Sequence, residues 1–79
     1  MTEFERAVLT VLARAGEPLG WYQIERRLST IALAERPNLL DVLAELGRRG
    51  LVEEVAAAVA PSVRYGLTPA GRTAIGIIP

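Results

Sequence analysis

Seventy-nine residues, 51% hydrophobic and 23% charged, suit one small globular domain over 1–79 with a modest core. Lys+Arg and Asp+Glu each number 9, so the formal net charge is zero, without the basic surplus usual in nucleic-acid domains. The absence of Cys and His excludes disulfides, thiolate or imidazole metal sites and Cys/His catalysis.

The basic residues are all arginines. No apolar run is long enough to span a bilayer, and Glu3 and Glu5 do not fit a signal peptide, so a cytoplasmic location is expected.

Phe4, Ala7, Val8, Val11, Leu12 and Ala15 recur at the spacing of one helical face and predict the first helix. Thr2 and Glu5 form a capping box ahead of it, and Gly16 stops it. Leu9 lies off the stripe, with room for a second, smaller apolar contact. A turn at Glu17-Pro18-Leu19-Gly20 leads into a second helix, Trp21 to Ser29. There Trp21, Ile24 and Leu28 share the core face, and Tyr22 and Arg26 share an outer one.

Between Thr30 and Arg36, Ile31 and Leu33 alternate, which suits either a short first strand or a partly buried loop. The third helix is predicted from Pro37 or Asn38 to Arg49, closed by Gly50, with Leu39, Val42, Leu43 and Leu46 as its buried stripe. Arg48 and Arg49 complement the dipole of its last turn.

Leu51 to Val55 reads as a strand, although the alanines that follow also permit a helix over Val52 to Ala60. Residues 56–62 lack the Gly, Asn or Asp of a tight hairpin and predict a longer loop. A return strand carries Val63, Tyr65 and Leu67 on one face. Thr68 then caps a closing helix that begins at Pro69 and is cut short by Gly76 and Pro79.

This order describes a mainly α protein with a small β wing (α+β): a winged helix-turn-helix with a three-helix core and a two- or three-stranded antiparallel hairpin. Three segments carry a closer likeness. Val8-Leu9-Thr10-Val11-Leu12 followed by Pro18-Leu19-Gly20-Trp21-Tyr22-Gln23-Ile24 resembles the opening of PadR-like transcriptional regulators. Leu39 to Val52 is similar to that family's recognition helix with its Gly-Leu-Val lead into the wing, and Arg64-Tyr65 through Gly71-Arg72 to the wing exit. The resemblance implies DNA binding in transcription regulation, normally as a dimer. The chain departs from it at Leu40, where the family usually has an aromatic.

In that geometry the third helix enters the major groove, making Arg36, Asn38 and Asp41 the base-reading candidates. Tyr22, Arg26 and Arg27 on the second helix and Arg64 on the wing would hold phosphates. Each has a structural alternative: Asn38 suits a helix cap, and Arg26 and Arg27 suit a solvated face. Asp41 and Glu45 on the reading helix, with Glu53 and Glu54 on the wing, oppose phosphate, so duplex DNA is expected to be held weakly by the isolated domain.

The alternative function is a protein-interaction module without DNA binding. It would use the apolar wing, with Val55 and Val59, together with Ile75, Ile77 and Ile78, for a homodimer or another protein. Trp21 is expected in the core and Tyr22 on the surface. No catalytic constellation, phosphate loop or cofactor site is legible, so the chain reads as a non-enzyme.

Overall fold

A computed structural model describes residues 1–56 and 63–76. The elements run α1 (Glu3–Ala15), α2 (Trp21–Leu28), α3 (Leu39–Arg48), β1 (Val52–Ala56), β2 (Val63–Leu67) and α4 (Pro69–Ala74). β1 and β2 pair antiparallel, with Val52 opposite Leu67 and Glu54 opposite Tyr65. This is the winged helix-turn-helix expected from the sequence.

Each helix begins where local chemistry provides a cap. Thr2 and Glu5 satisfy one another's backbone N–H groups at 3.1 and 2.9 Å, closing the capping box of α1. Gly16 ends α1 at φ 69, the left-handed region that glycine adopts without Cβ strain. α2 has glycine at its N-cap, and the Gln23 side chain compensates by accepting from the Gly20 N–H at 2.9 Å.

α3 starts on Asn38 and ends in a Schellman motif. Gly50 N–H donates to the Gly47 carbonyl at 3.0 Å, and Leu51 N–H to the Leu46 carbonyl at 2.9 Å. This reversal delivers the chain directly into β1. Thr68 binds the far end of the hairpin back to the same turn: its hydroxyl donates to the Gly50 carbonyl at 2.6 Å and accepts from the Gly71 N–H at 3.0 Å.

The core is a continuous apolar cluster. Phe4, Val8, Leu9, Val11 and Leu12 from α1 meet Ile24 and Leu28 from α2, and Leu39, Leu43 and Leu46 from α3. Leu19 and Val52 complete it. Among the described residues no polar or charged side chain is buried, so this interior rests on apolar burial without internal ion pairs. Among these residues no helix is long and apolar enough to cross a membrane.

Several local expectations are corrected. Leu9 is fully buried, because α1 is flanked by α2 on one side and by β2 and α4 on another, widening its apolar stripe. Trp21 is 49% exposed rather than in the core. It shares a face with Ile24 by spacing but stands at the first position of α2, where the preceding Leu19 supplies the buried side chain.

Residues 30–36 form no strand; Ile31 and Leu33 are half-buried in a loop against the core. The third strand-like contact comes instead from Leu19, an isolated antiparallel bridge to Tyr65. Val42 is only half-buried, at the edge of the α3 stripe. The strand Val52–Ala56 excludes a helix over Val52 to Ala60 for the described part of that segment. The loop expected within 56–62, apart from Ala56 in β1, and the residues after Gly76 lie outside the described residues.

Candidate nucleic-acid interface

α2, the linker and α3 form the helix-turn-helix, and the side chains left exposed on it define the candidate surface. On α3, burial of Leu39, Leu43 and Leu46 turns Leu40, Asp41, Ala44, Gly47 and Arg48 outward. Leu40 is 49% exposed, which is high for a leucine with a packed core one residue away. Leu40, Ala44, Gly47 and Arg48 line one wall of a groove whose other wall is Val52, Glu53, Glu54 and Tyr65 of the hairpin.

The candidate base readers separate into distinct roles. Asn38 is the N-cap of α3, its side-chain oxygen accepting from the Asp41 N–H at 3.1 Å. The amide NH2 has no such partner among the described residues, so cap and outward donor can coexist on one side chain. Asp41 is exposed in the first turn of α3, where the helix dipole favours a carboxylate.

Arg36 is redirected. Its guanidinium donates through Nη1 to the Leu28 carbonyl at 3.2 Å and through Nη2 to the Ile31 carbonyl. These acceptors are the end of α2 and the linker, so the side chain is engaged in fixing the turn rather than extended from it.

The candidate phosphate contacts stay on the surface. Tyr22 is 54% exposed, its ring edge-on to Trp21 with centroids 6.2 Å apart. Gly20 makes room for that ring: a Cβ there would stand 2.9 Å from Tyr22 Cε1. Arg26 and Arg27 are exposed at the end of α2, and Arg64 on β2 opposite Val55; none forms an ion pair among the described residues.

Two arginines at the end of α3, Arg48 in its last turn and Arg49 at its C-cap, are paired. Arg48 contacts Glu45 on its own helix, and Arg49 reaches Glu5 of α1 at 3.5 Å. The second pair pins the end of α3 to α1 and points Arg49 away from the groove. Glu53 and Glu54 remain exposed beside it.

Leu40, Ala44, Arg48 and Trp21 are the surface residues that the sequence reading did not select. The first three were accessible to it, since the buried stripe Leu39, Leu43 and Leu46 leaves them facing out at i, i+4 and i+8. Among the described residues no group of acidic side chains is arranged to hold a metal ion.

Of the apolar residues expected to form a contact surface, two lie among the described residues, and Val63 on β2 is exposed. Val55 is half-buried, its Cγ2 lying 3.5 Å from where a Cβ on Gly66 would stand, a position that Pro18 Cγ approaches equally closely. Ile75 is half-buried against the main core. Val59, Ile77 and Ile78 lie outside the described residues.

No protein-family model and no curated protein matches the chain. Solved structures do. The complex structure of hsRosR-S1 superposes with a TM-score of 0.77 and 31% identity over 95% of this chain and 66% of that one. The complex structure of hsRosR-S4 gives 0.78 and 31%, again over 95% of this chain and 64% of the other. RosR of H. salinarum grown from NaBr gives 0.77 and 28%, over 95% and 67%. The chain thus spans slightly less than two thirds of the first two RosR chains.

Proposed function

We propose that the chain is a DNA-binding domain of a transcription regulator, docking α3 in the major groove of duplex DNA with α2 and the wing on the phosphates. The observation that carries this reading is the exposed outer face of α3, Leu40 to Arg48, on the second helix of a helix-turn-helix. The same chain aligns over 95% of its length with the winged-helix regulator RosR.

Arg26, Arg27 and Arg64 are exposed and unpaired among the described residues, as phosphate contacts require, and Tyr22 adds a hydroxyl at the start of α2. Asn38 and Asp41 stand at the leading end of α3, where base edges are read. Arg36 takes a supporting place, holding the linker. The finer assignment to the PadR-like type rests on the Pro18-Leu19-Gly20-Trp21-Tyr22 turn, in which Leu19 joins Tyr65 of the wing.

Duplex DNA would be bound through about four phosphate contacts, which implies a log–log salt slope near −4 and modest affinity for one copy. A homodimer doubles those contacts and suits a two-fold DNA site.

Fluorescence anisotropy of a labelled mixed-sequence duplex at low and moderate salt, with the mass of the protein recorded on the same sample, tests the reading. Binding that weakens steeply with salt supports it, and absence of binding at low salt by the folded protein rejects it. The alternative is a protein-interaction module that uses the wing; Val55 and Ile75 are half-buried within the fold, while Val63 on β2 is exposed.

A further inference from the structure

We propose that Leu40 and Ala44 make α3 a reader of the thymine 5-methyl group, so that the preferred duplex presents thymines to this helix. The inference rests on the DNA-binding reading above and specifies what its central helix detects. Leu40 and Ala44 lie one helical turn apart on the exposed side of α3, and Leu40 leaves 49% of its surface in solvent.

An isolated exposed leucine is ordinary, but this one adjoins an alanine and a glycine along the same wall of the groove. Gly47 is not required there by its own fold: its φ is not positive, and a Cβ would meet nothing within 4 Å. Leu40, Ala44 and Gly47 together present a low apolar strip with no hydrogen-bonding side chain.

The edges of the bases in the major groove are donors and acceptors with one apolar exception, the methyl at C5 of thymine. An apolar strip inserted there strips water from polar base edges without replacing their hydrogen bonds, except where it meets that methyl. Asp41 flanks the strip at its leading end, where it would accept from cytosine N4, and Arg48, paired with Glu45, closes the other end.

Thymine and uracil differ in this methyl alone, which permits a direct test. Duplexes retained by the wild-type protein from a random pool at low salt are resynthesised with deoxyuridine in place of thymidine and compared by anisotropy. The wild type is expected to bind the uracil duplexes more weakly by about fourfold for each methyl contacted, the value of one buried carbon.

Leu40→Ala and Ala44→Ser are expected to narrow that difference while leaving the thermal midpoint close to wild type, since both side chains are exposed. Equal wild-type affinity for thymine and uracil duplexes overturns the methyl assignment and leaves DNA binding standing. A full thymine preference retained by both variants overturns the assignment to these residues. Retention of no duplex at low salt overturns the DNA-binding reading itself, and the inference with it.

Discussion

The Arg36 guanidinium reaches back along the chain to the Leu28 carbonyl at 3.2 Å, and its second amino group meets the Ile31 carbonyl. One side chain thereby ties the end of α2 to the linker that precedes α3. Arg36→Ala is expected to cost about 1 kcal/mol in urea unfolding, the usual net value of such hydrogen bonds at a partly exposed site. DNA affinity should fall by a similar factor for all duplexes. A change in sequence preference would instead restore Arg36 to the base-reading set.

Asn38 combines a cap with a free amide, and two substitutions separate them. Asn38→Ala removes the acceptor of the Asp41 N–H and should destabilise by about 1 kcal/mol. Asn38→Asp keeps the acceptor, so its unfolding midpoint should stay near wild type, while its DNA affinity falls because a carboxylate replaces the donor. Equal DNA affinity of Asn38→Asp and wild type would leave Asn38 a cap alone.

Two glycines call for opposite outcomes. A Cβ on Gly71 would collide with the Leu51 carbonyl oxygen and with Leu67 Cδ1, because α4 starts directly against the α3–β1 turn. Gly71→Ala should cost about 2 kcal/mol through this overpacking. Gly47→Ala, in open space within α3, should stabilise by about 0.5–1 kcal/mol. Chemical denaturation of the two variants measures both.

The charges beside the groove set affinity. Glu53→Gln and Glu54→Gln each remove a negative charge exposed next to α3 and should tighten DNA binding at low salt, an effect that fades as salt rises. Arg64→Ala should weaken binding uniformly across sequences and reduce the magnitude of the log–log salt slope by about one. Anisotropy titrations at several salt concentrations resolve these effects.

Trp21, the chain's single tryptophan, is half-exposed at the start of α2 beside Tyr22. Its fluorescence in the free protein should be that of a solvated indole, readily quenched by iodide. Bound duplex DNA should shield it, since α2 lies against the phosphates in the proposed docking. Unchanged quenching in a saturated complex would move the interface away from the start of α2.

The periodic apolar residues and the caps determined where each helix forms, because those signals act within a few residues along the chain. Thr2 with Glu5, Asn38, and Thr68 before Pro69 are therefore readable without a partner, as is the strand around Tyr65. The sequence also carried the outward face of α3, since the buried spacing of Leu39, Leu43 and Leu46 leaves Leu40 and Ala44 opposite.

Only the tertiary structure decided which competing use each remaining residue serves. Ile31 and Leu33 alternate like a strand but find no partner, whereas Leu19, in a turn by its neighbours, is paired by Tyr65 some 46 positions away. Trp21 has core spacing but not core position. Arg36 has the chemistry to grip guanine, and here its guanidinium meets the carbonyls of Leu28 at the end of α2 and Ile31 in the linker. Strand pairing, burial at a helix end and the choice among hydrogen-bond acceptors all depend on distances between segments remote along the chain, and those distances exist only once the helices have packed.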